Sequence, residues 1–345
     1  MRDYLTLMPF INKKVGRGVY MVGIRCFNIL NIILLLLTPG ITQGIILHTD
    51  DQPTDHPSDL VVGRWGSNAS CVVVGPNYIV TARHQGGGVG SIVTIDGVEY
   101  QVAEVITKDD NDLRVARLET SQGQPANLDA YVGIFTSQGD EFYEKIVVGG
   151  YGKYRGSELT TDDGTVYGYS WTGSDNKTLR WGANLLDRGY ATLVTSSYSS
   201  LVLIADFDGP AAASAVPCEG TIAEYDSGGG WFVKDSDGNW FLVAVSAYVT
   251  RLASWFDIPI TTEKVDPDRM YGIQVSAYSS WILANIKTCK FPPGDANEDG
   301  VVDVFDLSIL AANYGGSGMT WENGDFNNDG VVDALDLSIM AANYV

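Results

Sequence analysis

Three short stretches hold residue types that could attack a carbonyl and move a proton: Thr81-Ala82-Arg83-His84, Asp112-Leu113-Arg114-Val115-Ala116-Arg117-Leu118 and Asp226-Ser227-Gly228-Gly229. A serine hydroxyl is a weak nucleophile at neutral pH. It needs an imidazole to take its proton and a carboxylate to hold that imidazole in the right tautomer. His84, Asp112 and Ser227 supply base, orienting acid and nucleophile in that chain order. The chain has only three histidines, and the other two, His48 and His56, lie in a polar stretch.

The elements that must present these groups can be read from residue pattern. Residues 70–81 read as strand, turn and strand: an apolar β-branched run, a break at Gly75-Pro76-Asn77, then a second apolar run. His84 follows the second strand, where a loop can present it. Asp112 opens the apolar stretch Leu113–Leu118 and so sits at a strand end. Ser227 lies between a polar loop and the strand-like Trp231-Phe232-Val233, and the glycines at 228–230 leave the backbone free to turn around its hydroxyl.

With these motifs in place, roughly residues 45–289 resemble a chymotrypsin-like serine protease. TARH stands where that family has TAAH, DLRVARL matches its aspartate strand, and DSGG matches its serine loop. Leu242–Tyr248 resembles the strand lining the substrate cleft, and Val275–Ile282 the closing helix. The resemblance implies an all-β fold of two packed six-stranded β-barrels with the triad in the cleft between them. It implies His84 as general base, Asp112 as orienter and Ser227 as nucleophile, acting on a protein or peptide substrate. The backbone amides of Tyr225 and Ser227 would form the oxyanion hole. Thr221 would be the floor of the primary pocket, with Ser246 and Tyr248 on its wall. With no carboxylate at Thr221, the expected preference is a small or medium apolar residue before the scissile bond.

Two departures bear on activity. Tyr225 stands where the family has glycine, and a tyrosine forced into the conformation glycine adopts there costs about 1–3 kcal/mol. Arg83 replaces a small residue beside His84. Two readings therefore stand side by side: an exported serine endopeptidase, and a protease fold that has lost catalysis and serves as a binding module.

A second constellation is a repeat. Asp295, Asn297, Asp299, Asp303 and Asp306 recur thirty residues later as Asp325, Asn327, Asp329, Asp333 and Asp336. Both copies read D-x-N-x-D-G-x-x-D-x-x-D, followed by a helix-forming run. Oxygen side chains stand at loop positions 1, 3, 5, 9 and 12. The backbone carbonyls of Val301 and Val331 fill position 7, and glycine permits the sharp turn at position 6. This is the ligand pattern of an EF-hand calcium loop with Asp in place of the terminal Glu, so two Ca2+ ions are expected. The helix that would precede the first loop is missing. A tandem of loop and exiting helix over residues 294–345 resembles a type I dockerin domain. That resemblance implies a cohesin-type partner, met by Val304 and Phe305 in the first copy and Ala334 and Leu335 in the second. Packing of this unit against its own protease-like domain is the alternative.

Residues 29–37 form an apolar core preceded by Lys13, Lys14, Arg17 and Arg25, the pattern of a secretory leader over residues 1–44, with Met21 a candidate start. Residues 42–44 offer a cleavage point; nine apolar residues are short for a spanning anchor, which is the competing reading. Cleavage there predicts a secreted or cell-surface protein with no remaining membrane span. Removal of Gly44 would expose Ile45, whose ammonium could pair with Asp226, the acid before the serine. Residues 290–293 read as a short linker. Cys26 lies in the leader; Cys71, Cys218 and Cys289 remain, an odd number, with Cys218–Cys289 a conceivable bridge. The formal charge of −20 argues against nucleic-acid or anionic-membrane binding.

Overall fold

The computed structural model describes residues 6–8, 44–173, 177–187, 189–256, 267–286, 292–297, 300–327 and 329–345. The leader core at 29–37, Cys26, Cys289, Asp299 and the first half of the 290–293 linker lie outside the described residues.

Apolar β-branched runs broken by turn residues build the first unit. Val62–Trp65 (β1), Ala69–Gly75 (β2), Tyr78–Ala82 (β3), Ile92–Ile95 (β4), Val98–Thr107 (β5) and Leu113–Glu119 (β6) close into a barrel in the order β1-β2-β3-β6-β5-β4. The strand, turn and strand expected over 70–81 are β2 and β3. All seven residues of β2 are buried, because its two faces enter different cores. Cys71 and Val73 point into the barrel with Ile79, Val93 and Leu118. Val72 and Val74 face a larger core that they share with Phe232, Leu242, Ile273 and Val275 of the second unit. The period of two along a strand makes that division.

The second unit is an antiparallel sheet. Its main strands are Lys145–Gly150 (β7), Arg180–Leu185 (β8), Tyr190–Val194 (β9), Ser199–Asp206 (β10), Gly230–Lys234 (β11), Trp240–Val249 (β12) and Arg269–Gln274 (β13), in the order β9-β10-β13-β12-β11-β7-β8. Thr6–Met8 pairs outside β9, and Gly133–Ile134 runs parallel beside β12. The expectation of two closed barrels is therefore met once: the second sheet stays open between β8 and β9. The reason is competition for the free edge of β8. Ala183 donates to the Cys218 carbonyl at 2.9 Å and bridges Glu219. The Asn184 side chain adds bonds to the Asp206 and Gly220 carbonyls at 2.7 and 3.0 Å.

Two smaller sheets had no counterpart in the sequence reading. Ile46–Leu47 pairs with Gly220–Thr221, and Tyr154–Thr160, Val166–Thr172 and Ala253–Trp255 form a three-stranded sheet. Helix Ser279–Asn285 (α1) places Ile282 in the shared core. The C-terminal unit consists of Val304–Asn313 (α2) and Ala334–Ala341 (α3), each preceded by its acidic loop, around Ala296, Val302, Leu310, Phe326, Val332 and Met340. Among the described residues no helix is long and apolar enough to cross a membrane. Cys71 and Cys218 carry free thiols, and the bridge considered from Cys218 to Cys289 ends at a residue outside the described ones.

Phe232 is fully buried where the two β units meet, its ring 5.7 Å from that of Trp181. Phe232→Ala should cost about 3–5 kcal/mol. Urea denaturation followed by tryptophan fluorescence should show that loss as one shifted transition. Two separated β-unit transitions would contradict a shared core.

Candidate functional site

Strand register alone brings His84 and Asp112 together. β3 and β6 are antiparallel neighbours with Ala82 opposite Leu113. His84 lies two residues past the end of one strand and Asp112 one residue before the start of the other. The chain turns at Arg83–Gln85 in a single 3-10 turn. Arg83 donates its amide to the Asp112 carbonyl at 2.9 Å. The His84 amide donates to Asp112 Oδ1 at 2.8 Å, and the ring Nδ1 lies 2.7 Å from Oδ2. Asp112 is 1% exposed. An ionised carboxylate only accepts, so the proton sits on Nδ1 and the Nε2 lone pair faces outward.

Residues outside the three motifs hold this pair. The Asp112 amide donates to Ser200 Oγ at 2.9 Å. Burial, and after it the nearby Asp112 carboxylate, push the Tyr198 phenol up. The loop after His84 is gripped by the Arg114 guanidinium, which donates to the carbonyls of Gly86 (2.6 Å), Gly87 (3.2 Å) and Arg83 (3.1 Å). Cys71 is buried, which pushes its thiol up to about 12. Arg83 forms no ion pair among the described residues. The Nε2 lone pair of His84 is met by the Gln85 carboxamide, with Nε2 to Nε2 at 2.6 Å. Ser227 Oγ makes no hydrogen bond among the described residues.

The serine loop comes from the second unit and docks on the first through Ser70. The Ser70 amide donates to the Ser227 carbonyl at 2.9 Å, and its carbonyl accepts from Thr81 Oγ1 at 2.8 Å. Its hydroxyl donates to the Tyr225 carbonyl at 3.2 Å and accepts from the Tyr151 amide at 3.1 Å. Gly228, at φ 88°, fits against the same strands; a Cβ there would lie 2.1 Å from the Ser70 carbonyl oxygen and 2.3 Å from Thr81 Oγ1. Thr81 is three residues before His84, so this seating brings the hydroxyl-bearing loop to the strand that ends just before His84.

Tyr225 adopts φ 80°, a left-handed conformation that favours glycine. Strain of about 1–3 kcal/mol is retained, and Lys153 Nζ lies 5.6 Å from the centre of its ring. Among the described residues the Tyr225 and Ser227 amides find no hydrogen-bond acceptor. Asp226, between them, is wholly buried. It accepts from Gly152 N at 2.6 Å and Ala223 N at 2.8 Å, and the Ile45 amide bonds to it as well.

Ser227 borders a cavity of about 270 Å³ lined by Ile222, Ala223, Ala247, Tyr248 and Val249. Of the three pocket residues expected from sequence, Tyr248 lines it and two do not. Thr221 pairs with Ile46 in a short strand, and the Ser246 hydroxyl accepts from Trp231 Nε1 at 3.0 Å. Both are used up by the fold. Trp171 and Arg251, at the edge of the unforeseen three-stranded sheet and the turn before it, complete the rim. Arg251 is paired with buried Asp268.

In the C-terminal loops, Asp306 accepts the amides of Ala296, Asn297 and Asp303. Asp336 accepts those of Phe326, Asn327 and Asp333 in the same pattern. Asp295 accepts from Gly300 at 2.7 Å and Asp325 from Gly330 at 2.8 Å. Asp303 and Asp333 cap α2 and α3, reciprocated by Asp306 and Asp336 three residues on. Among the described residues no three acidic side chains converge on one point, since the buried carboxylates are turned onto backbone amides. The donor set fits a hard divalent cation: Asp295, Asn297, Asp325, Asn327 and Asp329 offer oxygen, as do the carbonyls of Val301 and Val331, and no sulfur or imidazole competes. Val304, Phe305, Ala334 and Leu335 stand exposed at the starts of α2 and α3.

Burial pushes the Asp226 carboxyl up to about 7, against its amide partners, which lower it. A carboxyl that holds its proton more tightly folded than unfolded stabilises the fold at low pH. That stability is lost as pH rises from the ordinary value of 3.8 through about 7. Glu219, raised to about 8, and Asp187, raised to about 6, act in the same direction. In a chain that retains Gly44, Asp226→Asn should flatten the fall in urea midpoint across this range while leaving the share of the other two. An unchanged slope would contradict the buried carboxyl.

No curated protein sequence matches the chain. The family model of the Dockerin type I domain matches residues 293–343. The loops and exiting helices described above therefore belong to a type I dockerin domain, carried behind a β-rich region with one closed six-stranded barrel.

Proposed function

We propose that residues 45–289 are an exported serine endopeptidase, tethered through the dockerin domain. The observation that carries this reading is the His84–Asp112 pair, held at two points, beside a serine loop whose Tyr225 and Ser227 amides are unspent. Ser227 Oγ attacks the peptide carbonyl and its proton passes to His84 Nε2. Asp112 stabilises the imidazolium through Nδ1–H. The oxyanion is received by the Tyr225 and Ser227 amides, where each donor contributes on the order of 10²–10³ in turnover. His84 then protonates the leaving amine, and a water repeats the sequence to release the acid. The apolar lining beside Ser227 favours an apolar side chain of moderate size before the scissile bond.

Asp226 adds an activation step to this reading. Cleavage after Gly44 turns the Ile45 amide, already bonded to Asp226, into an ammonium against a buried carboxylate. A charge otherwise isolated from solvent then gains a partner. The rival reading, a binding module without catalysis, is favoured by Gln85 on His84 Nε2 and by strained Tyr225.

Calcium bound in the C-terminal loops would be held by Asp295, Asn297, Asp299, Asp303 and Asp306, with the Val301 carbonyl, and by Asp325, Asn327, Asp329, Asp333 and Asp336, with the Val331 carbonyl. It would neutralise acids that repel one another and so fix the starts of α2 and α3. Val304, Phe305, Ala334 and Leu335 then form an apolar face for a cohesin-type domain on a scaffold or cell surface.

Two measurements test these assignments. Exported protein should begin at Ile45 and react with a fluorophosphonate probe, and Ser227→Ala should abolish labelling and lower peptide hydrolysis by at least roughly 10³-fold. Folded protein that never labels would favour the binding module. Calorimetric titration should find two calcium ions, falling to one in Asp336→Ala with the first loop unaffected. Equal stoichiometry in both proteins would refute the second loop.

A further inference from the structure

The contact between Gln85 and the base is absorbed by none of the roles above. Asp112 takes the His84 backbone amide on one oxygen and the ring Nδ1 on the other, at 2.8 and 2.7 Å. Ring orientation and tautomer are thereby fixed, and Nε2 is left as an acceptor with a single lone pair. The Gln85 carboxamide nitrogen lies 2.6 Å from it. An sp² nitrogen with one lone pair cannot take a hydrogen bond from Gln85 and the proton of Ser227 together.

The surroundings decide what can move. Arg114 holds the carbonyls of Arg83, Gly86 and Gly87, so the backbone on both sides of Gln85 is anchored. The Gln85 side chain is only partly buried, and its rotation about side-chain bonds is fast. Ser227 Oγ has no hydrogen-bond partner among the described residues. We propose that Gln85 is a gate on the general base: its NH2 group occupies His84 Nε2 at rest and must swing away before that nitrogen takes the Ser227 proton. This rests on the serine endopeptidase reading, and the gate positions protons rather than touching substrate.

The test compares full-length wild type with Gln85→Met, which keeps the length and removes the donor, and Gln85→Ala, which removes the side chain. With three histidines in the chain, long-range ¹H–¹⁵N spectra can follow His84 Nε2 directly. Loss of the donor should move that signal toward the value of a free lone pair in both variants. Fluorophosphonate labelling and kcat should rise by roughly twofold to tenfold, the span of one net hydrogen bond, with KM unchanged. An Nε2 signal that does not move in Gln85→Met overturns the contact. Slower labelling in Gln85→Met also overturns the gate, and shows the carboxamide assisting the imidazolium. A signal that moves while no form is labelled leaves the contact standing and defeats the endopeptidase reading, and the gate's role with it.

Discussion

The Asp226 carboxylate is enclosed away from solvent with no cationic side chain against it among the described residues, and its surroundings are built to tolerate that. Backbone amides from three distant segments meet it, at Ile45, Gly152 and Ala223. Glycines line it because nothing larger fits: a Cβ on Gly150 or Gly152 would lie 2.2 or 2.3 Å from a carboxylate oxygen. An unpaired charge in such a place is costly unless it is hydrogen-bonded or protonated. The amides are therefore not optional. They fix the residue before Ser227, hold the Ile45 segment fully buried, and tie both to the end of β7.

From that anchor the rest of the site divides between the two β units. The closed barrel supplies His84 and Asp112 through the pairing of β3 with β6, and Ser200 of the second unit bonds the Asp112 amide. The open sheet supplies the serine loop. Ser70 joins them, spending its amide, carbonyl and hydroxyl on Ser227, Thr81, Tyr225 and Tyr151. The shared core under this seam explains why β2 is buried on both faces. Small shifts between the units would break several bonds at once, so the serine loop and the strand before His84 are held to a common frame.

The dockerin domain solves a different electrostatic problem. Much of the formal charge of −20 is concentrated in two short loops. The fold places the twelfth residue of each loop inside and uses the ninth as a helix cap. The same carboxylates thus start α2 and α3 and stand ready as cation ligands. Helix position and metal chemistry are coupled through shared oxygens, which links the exposed apolar residues at the helix starts to the state of the loops.

Local pattern determined much of this protein. Alternating apolar runs and the Gly75-Pro76-Asn77 break give β2 and β3, the strand-end positions of His84 and Asp112 follow from the same runs, and the spacing of acids around Gly300 and Gly330 gives the loops with their exiting helices. These features depend on neighbours within a turn or a strand, where side-chain period and backbone preference act. Tertiary structure alone decided the open edge of the second sheet, the three-stranded sheet beside the cavity, and the removal of Thr221 and Ser246 from its lining. It also recruited Ser200 to Asp112, Arg114 to the histidine loop, and Ser70 to Tyr225 across 155 residues of chain. Such partners are ordinary serines and arginines in sequence. Their roles arise because a buried polar group must find a partner wherever the fold brings one within 3 Å or so, and no short-range pattern encodes which one that will be.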